Sequence, residues 1–198
     1  METTRHFTAT VYIVNDGATA LHDHRRLGIT IPPGGHVDRD ELPHETAIRE
    51  CREETGLEAT ILPVRESLES DGTGDHDLAV ETDTGRSLPQ PRRQMLYDID
   101  VHDGRVAHQH VDHIYYATVP SREIDPADGE VNADGWAWYT SADLRTRKRE
   151  DEIGGQSDSD SESEDRNRIQ NEDTNEPDLE DDVVTLGLEA IEAARRLS

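Results

Sequence analysis

Residues 35–57 constrain the fold and the chemistry of this chain more than any other stretch. The second half of this stretch predicts a helix, in which Pro43 suits the first turn and Gly56 suits the left-handed residue after the last turn. Apolar or small residues recur there at steps of three and four, at Ala47, Ile48, Cys51 and Thr55. This periodicity predicts that one side of the helix packs against a hydrophobic core.

Three glutamates are expected on the opposite side of the same helix. Glu50, Glu53 and Glu54 are spaced at i, i+3 and i+4, so they share one face. Carboxylates crowded on one face repel one another, whereas a hard divalent cation such as Mg²⁺ or Mn²⁺ prefers such oxygens as ligands. The helix by itself fits a metal site and a solvated acidic face equally well.

The segment before the helix favours the metal site. Residues 32–35 combine a rigid proline turn with two glycines, a backbone that can approach a ligand closely. With Glu41, Arg49 and the three glutamates, they complete the pattern G-x5-E-x7-R-E-U-x-E-E-x-G-U, where U is bulky and apolar and Cys51 is the one soft match. Seven fixed residues at this spacing arise by chance in about one chain in 10⁵. The pattern is the Nudix box, and the sequence resembles a Nudix hydrolase.

The resemblance extends more loosely from residue 6 to residue 145 and implies the Nudix fold. This is an α/β fold of the α+β type, in which a mixed β-sheet is sandwiched between helices. The implied activity is that of a pyrophosphohydrolase, which cleaves the diphosphate linkage of a nucleoside diphosphate joined to another group. The implied cofactor is Mg²⁺ or Mn²⁺, and the implied partner is a small nucleotide-type substrate.

The resemblance also assigns roles to individual residues of this sequence. Glu50, Glu53 and Glu54 match the metal-binding and catalytic glutamates, and the backbone carbonyl of Gly34 matches a further metal ligand. Because a carboxylate that the metal does not fully use can accept a proton from water, we expect Glu53 or Glu54 to lie closest to the attacking water.

Two further features of the site follow from the same resemblance. Glu41 and Arg49 match a carboxylate–guanidinium pair that supports the site by holding the loop to the helix. Family members often recruit one more acid from a loop before the last strand, and Glu130 fits that position. Glu123 and Asp134 are alternatives, and a solvated surface carboxylate is the competing interpretation of Glu130.

Three residues are candidate substrate contacts. Arg25 and Arg26 could reach a phosphate of the substrate, although a solvated turn explains them equally well. His36, inside the box, is the third candidate. The substrate itself stays open, because the downstream residues that distinguish subfamilies do not match those for ADP-ribose, dinucleoside polyphosphates or NADH.

A histidine-rich strand raises the alternative of a zinc site. Strand alternation places His108, His110 and Asp112 on one face and His113 on the other. We therefore expect these residues to line the substrate site or to pack, rather than to bind zinc.

Cys51 is the only cysteine, so the sequence predicts neither a disulfide framework nor a cysteine-based zinc site.

The net charge of the chain indicates its cellular environment and limits the classes of partner that it can bind. It has 45 acidic and 20 basic residues, a formal net charge of −25, and Lys148 as its only lysine. This composition is typical of a cytoplasmic protein of a halophilic organism, and an ordinary protein with an acidic interaction tail is the alternative. A nucleic-acid polymer is not expected as ligand, because phosphate backbones require a basic surface. No apolar run predicts a membrane span, and the sequence leaves a homodimer open.

Composition and patterning divide the chain into three parts. Residues 1–149 form the predicted Nudix domain, with strands expected at 7–14, 18–24, 29–31, 58–64, 94–101, 110–119 and 136–139. Residues 150–182 contain 15 acidic residues and two arginines, and predict a disordered insertion or linker. Residues 183–198 regain a helical apolar pattern, which predicts a C-terminal helix that packs back on the domain.

Two other functions remain open at this stage. A Nudix-fold module that senses a nucleotide without cleaving it is the main alternative, but such modules usually lose box glutamates. An isomerase of isopentenyl-diphosphate type is disfavoured because Cys51 lies inside the helix. The complete box therefore favours hydrolysis.

Overall fold

The computed structural model describes residues 2–24, 28–64, 81–102, 104–154 and 179–197, and for 148–154 it describes the backbone alone. Within these residues ten β-strands and three α-helices follow one another. The strands are β1 (Thr4–Asn15), β2 (Ala18–His24), β3 (Ile29–Ile31), β4 (Gly34–His36), β5 (Thr60–Ile61), β6 (Glu81–Thr82), β7 (Gly85–Arg86), β8 (Arg93–His102), β9 (Arg105–Thr118) and β10 (Trp136–Thr140). The helices are α1 (Pro43–Thr55), α2 (Ser141–Gly154) and α3 (Asp181–Arg195).

The sheet is mixed, as the sequence predicts. Its order is β10-β2-β1-β9-β5, and β3, β4 and β8 pair with β2, β1 and β9 respectively. The two long central strands, β1 and β9, run parallel, whereas the other pairs in this sheet are antiparallel. Strands β6 and β7 form a separate hairpin.

Alternation along β1 gives the sheet two apolar faces. Ala9, Val11 and Ile13 point to the side covered by α1, whereas Tyr12 and Val14 point to the side covered by α3. Helix α3 approaches closely at Gly187, where a Cβ would press against Leu144 of α2. The α+β sandwich of a mixed sheet between helices is therefore confirmed.

Local turn chemistry fixes the first hairpin. Asp16 and Gly17 both have positive φ, 46° and 74°, which matches the twist of a two-residue hairpin turn. Strands β2 and β3 have the predicted bounds. The prediction of a strand over residues 58–64 is wrong in length, because only Thr60–Ile61 pairs, and it does so with the end of β9.

The C-terminal helix packs back on the sheet, because α3 buries Val183, Val184 and Leu186 against the face that carries Tyr12. Residues 155–178 of the predicted acidic segment lie outside the described residues, so the three-part division stays a prediction. Among the described helices, none combines the length and the apolar character that a membrane span requires.

Candidate functional site

Helix α1 begins and ends where its sequence predicts. Pro43 occupies the first turn, and the side chain of Glu45 accepts a hydrogen bond from the amide of Leu42 at 2.9 Å. Gly56 closes the helix with φ of 72°, and its amide donates to the carbonyl of Arg52 at 2.9 Å. A Cβ at Gly56 would also overlap the carbonyl of Asp125. A glycine is therefore required here for both the backbone angle and the close approach.

Glu54 is buried, which corrects the expectation that it lies with Glu50 and Glu53 on a face opposite the core. Only 7% of this residue is exposed. Its Oε1 accepts a hydrogen bond from the amide of Gly34 at 2.9 Å, and its Oε2 lies 3.4 Å from Nε2 of His22. Burial, together with the charges of Glu50 and other acids, raises the pKa of Glu54 to about 8.

Arg49 is the cation at the centre of the box. Its Nε and Nη2 donate to the two carboxylate oxygens of Glu41 at 2.7 and 3.1 Å. Its Nη1 donates to Glu50 and Glu53, both at 2.9 Å. The Arg49 guanidinium lowers the pKa of Glu41, chiefly through these hydrogen bonds. The bidentate pair ties the loop before α1 to the middle of the helix.

Strand β4 brings two glycines against the glutamates. It pairs antiparallel with β1, so that Gly35 lies opposite Ala9 and Gly34 opposite Thr10. A Cβ at Gly35 would overlap the carboxylate of Glu50. Burial raises the pKa of Glu50, although Arg49 opposes this shift. The glycines therefore permit a contact between backbone and carboxylates that a larger residue would prevent.

The loop after β9 carries Glu130 toward the same carboxylates. It is held to the end of α1 by two hydrogen bonds, from the amide of Asp125 to the carbonyl of Thr55 and from the amide of Ala127 to the carbonyl of Glu53. Glu130 is exposed, and its charge contributes to the raised pKa of both Glu50 and Glu54. The alternatives Glu123 and Asp134 are also exposed.

The residues of the box fit a hard divalent cation. Three carboxylates, those of Glu41, Glu50 and Glu53, contact the one guanidinium of Arg49, and a fourth, that of Glu54, accepts from the amide of Gly34. One positive charge leaves this group with an excess of negative charge. Oxygen donors with unbalanced charge are what Mg²⁺ and Mn²⁺ bind, so the donor set matches the predicted cofactor.

A cavity of about 440 Å³ is lined in part by Gly34, whose amide donates to Glu54. Its walls come from β1, β3, β8, β9 and the start of α3, and include Ile31, Tyr97, Ile99 and Asp112. The hydroxyl of Tyr97 donates to Oδ2 of Asp182 at 2.8 Å, which joins β8 to α3. The size of this cavity and its largely apolar wall with a few polar groups are typical of a small-molecule site.

A larger cavity of about 670 Å³ lies elsewhere, between α3 and the segment that carries Arg92 and Arg93. None of the box glutamates lines either cavity, but Gly34, whose amide contacts Glu54, lines the smaller one and not the larger one. Volume alone therefore does not identify the reaction site, whereas contact with Gly34 singles out the smaller cavity.

The other predicted site residues differ in burial, and two of them are not described by the structure. Arg25 and Arg26 lie outside the described residues, so their substrate contacts stay predictions. His36 is exposed, and its carbonyl accepts a hydrogen bond from Nη2 of Arg49 at 3.4 Å. Asp112 is buried, with its two oxygens bound by the hydroxyls of Thr8 and Thr10.

Sequence reasoning did not find His22 or Tyr97. His22 reaches Glu54 from β2, and its ring lies 4.5 Å from that of Trp136, so it is enclosed between two distant parts of the chain. Burial lowers the pKa of His22 to about 4, so the imidazole is neutral at pH 7. No local pattern marks either residue, because each acquires its role through strand pairing.

Comparisons with known proteins agree with this geometry. The NUDIX domain matches residues 4–156 of the chain. A crystal structure of a NUDIX-family hydrolase from Clostridium perfringens is 26% identical, covers 96% of this chain and 99% of its own, and superimposes with a TM-score of 0.68.

Two mammalian enzymes match a short segment of the sequence. The asymmetrical bis(5'-nucleosyl)-tetraphosphatases of Mus musculus and Rattus norvegicus are each 57% identical over 37 residues, which is 19% of this chain. The matched segment spans a quarter of the length of these relatives.

Proposed function

Because the chain belongs to the NUDIX family of pyrophosphohydrolases, we propose that it cleaves the diphosphate linkage of a nucleoside diphosphate joined to a second group. The observation that carries this proposal is the position of Gly34. Its amide contacts Glu54, and the same residue lines the 440 Å³ cavity. A substrate seated in the cavity would therefore have its phosphates beside the box carboxylates.

The metal-holding residues in this proposal are Glu50, Glu53 and Glu54, the carbonyl of Gly34, and Glu130. When bound, Mg²⁺ or Mn²⁺ supplies neutralisation of phosphate charge and activation of water. Arg49 holds Glu50 and Glu53 in place at 2.9 Å. The amide of Gly34 orients Glu54 in the same way, so these residues are positioned before a ligand binds.

The proton of the attacking water goes to Glu53 or Glu54 in this scheme. Glu53 uses only Oε2 for its hydrogen bond to Arg49. Glu54 is more enclosed, with Gly34 and His22 on either side of its carboxylate. Replacing Glu53 and Glu54 in turn with glutamine separates metal binding from proton acceptance. The variant that lacks the essential base loses turnover even when metal is saturating.

The cavity supports a nucleoside as the group that confers recognition. Ile29, Ile31 and Ile99 provide apolar surface for a base, and Asp98 and Asp112 provide acceptors for amino or hydroxyl groups. The tetraphosphatases of mouse and rat act on nucleoside polyphosphates, and their 37-residue match supports this chemical class. The second group on the diphosphate is the part of the substrate that the assay has to identify.

The test is ³¹P analysis of products from a panel of compounds, in Mg²⁺ or Mn²⁺ and at both low and molar KCl. The panel covers nucleoside triphosphates, oxidised nucleotides, ADP-ribose, NADH, diadenosine polyphosphates and coenzyme A. We expect metal-dependent cleavage of at least one compound, lost in Glu53→Gln and retained in Glu58→Gln, an exposed carboxylate outside the box. Activity that persists in molar KCl would support the halophilic cytoplasm predicted from the charge.

Nucleotide binding without cleavage across the panel would contradict the proposal. That result would favour the sensor module, since binding alone needs the cavity and not the glutamates.

A further inference from the structure

Four histidines from three strands, β1, β4 and β9, form a cluster on the sheet face opposite α1. The rings of His6 and His108 lie 4.7 Å apart, those of His36 and His110 4.8 Å, and those of His108 and His110 5.0 Å. His6 and His36 complete the group with ring centroids 5.5 Å apart. None of the proposed ligands of the box belongs to it.

Strand register accounts for the cluster. In the parallel pair of β1 and β9, His6 lies opposite His110. In the antiparallel pair of β1 and β4, His36 lies opposite Thr8, which shares a face with His6 because alternate residues point the same way. Strands β1 and β4 therefore bring one imidazole each, and β9 brings two, to the same part of the sheet.

The ligand atoms of three of these residues are close enough to share an ion. His6, His36 and His110 each offer one ring nitrogen, and these three nitrogens lie within 4.8 Å of one another. A tetrahedral ion with bonds of about 2.1 Å brings its ligands about 3.4 Å apart. His6 and His36 are exposed, so ring rotations can close this difference without disturbing the core.

From this geometry we infer that His6, His36 and His110 form a binding site for a borderline transition-metal ion such as Zn²⁺, distinct from the carboxylate site of the box. Imidazole nitrogen suits Zn²⁺, Co²⁺ and Ni²⁺, whereas the oxygens of the box suit Mg²⁺ and Mn²⁺. The two sites therefore select different ions. Three histidines leave a fourth position for water or another ligand.

The surroundings of the cluster favour metal binding. His108 stands beside the three ligands, and its Nδ1 lies 2.9 Å from Oγ1 of Thr4, which fixes its ring next to His6 and His110. The strongly acidic chain also attracts cations.

An ion at this site would link β4 to the neighbouring strands. His36 is the last residue of that strand, which also carries Gly34 and Gly35. The carbonyl of His36 accepts a hydrogen bond from Arg49. Binding would therefore hold the glycine strand to β1 and β9, and we expect it to raise the melting temperature by about 5 °C at an ion concentration 100 times the dissociation constant.

The test is calorimetric titration of the untagged full-length chain with Zn²⁺, with Mg²⁺ present in excess, together with visible spectra of the Co²⁺ form. We expect one equivalent of Zn²⁺ and the intense bands of tetrahedral Co²⁺. Both His6→Gln and His110→Gln should weaken Zn²⁺ binding at least about tenfold and remove these bands. His102→Gln, an exposed histidine on β8 outside the cluster, should leave both unchanged, and so should Glu53→Gln in the box.

Zn²⁺ affinity unchanged in both cluster variants, or lost in Glu53→Gln alone, would overturn the inference. A change only in KM for the nucleotide, with no change in Zn²⁺ binding, would also overturn it and assign the cluster to the substrate. Circular dichroism of each variant confirms that it is folded. Since the Zn²⁺ titration and the Co²⁺ spectra do not use hydrolysis, they are independent of the proposed function.

Discussion

The amide of Gly34 donates a hydrogen bond to Oε1 of Glu54 across 2.9 Å, and so joins strand β4 to helix α1 over 20 residues of sequence. This contact turns a carboxylate of the box inward, where only 7% of the residue is exposed. Gly34 also lines the cavity, so this residue connects the box glutamates to the cavity. This pair, the other contacts of the box and the cavity can each be tested by a single substitution.

Glu54→Gln should abolish most activity while the protein stays folded. The amide oxygen of glutamine can still accept from Gly34, but an amide cannot ionise to bind the metal or to accept a proton. We expect kcat/KM to fall by about 10²-fold or more, with circular dichroism and melting temperature near those of the original chain. Glu58→Gln is the control. Near-full turnover in Glu54→Gln would remove Glu54 from the list of essential groups.

Gly35→Ala should impair catalysis through Glu50. The added Cβ would overlap the Glu50 carboxylate, so this side chain has to move away from the site. Because displacement by about 1 Å costs about 10²-fold in rate, we expect a large loss of kcat and weaker Mg²⁺ binding with little unfolding. Gly85→Ala, in the exposed β6–β7 hairpin, is the matched control. Equal activity of the two variants would contradict the role given to this contact.

Glu41→Gln should lower stability in a pH-dependent way. Arg49 lowers the pKa of Glu41 in the folded protein, so the pair contributes stability at pH values above the unfolded value of about 4.5. This contribution is lost as pH falls through the lowered folded value. We expect the variant to be less stable by about 1–3 kcal/mol at pH 7, with the difference shrinking below pH 4.5.

The measurement is urea unfolding of both proteins from pH 7 down to pH 3. Other carboxylates titrate in both proteins and cancel in the difference. Glu58→Gln serves as the control, because its exposed carboxylate should show no such trend. A stability difference that is constant with pH would argue against the ion pair as its source.

Ile99→Ala should weaken substrate binding and leave the chemical step intact. Ile99 lines the 440 Å³ cavity but is 52% exposed, so its truncation should cost little stability. Loss of apolar contact with a base should raise KM about threefold to tenfold at unchanged kcat. Leu96→Ala is the control, because Leu96 is 57% exposed on the same strand and does not line the cavity. Equal KM values for both variants would place the nucleoside elsewhere.

The sequence predicted well those features that depend on neighbouring residues. Proline and glycine at either end define α1, because the first favours a helical start and the second adopts the left-handed angle that ends it. The residues at 15–17 likewise specify the first hairpin. The spacing of the box residues was sufficient to predict the family, the mixed sheet and the contact between Glu41 and Arg49.

Tertiary structure decided which side of α1 each glutamate faces. Helical spacing alone groups Glu50, Glu53 and Glu54, but of the three only Glu54 contacts the Gly34 amide and His22. The cavity draws on β1, β3, β8, β9 and α3, which no local pattern brings together. His6, His36 and His110 meet because two strand pairings happen to have compatible registers. Helix ends, turns and residue spacing are set by interactions within a few residues, whereas register and burial depend on pairings between distant segments, and these exist only once the chain has folded.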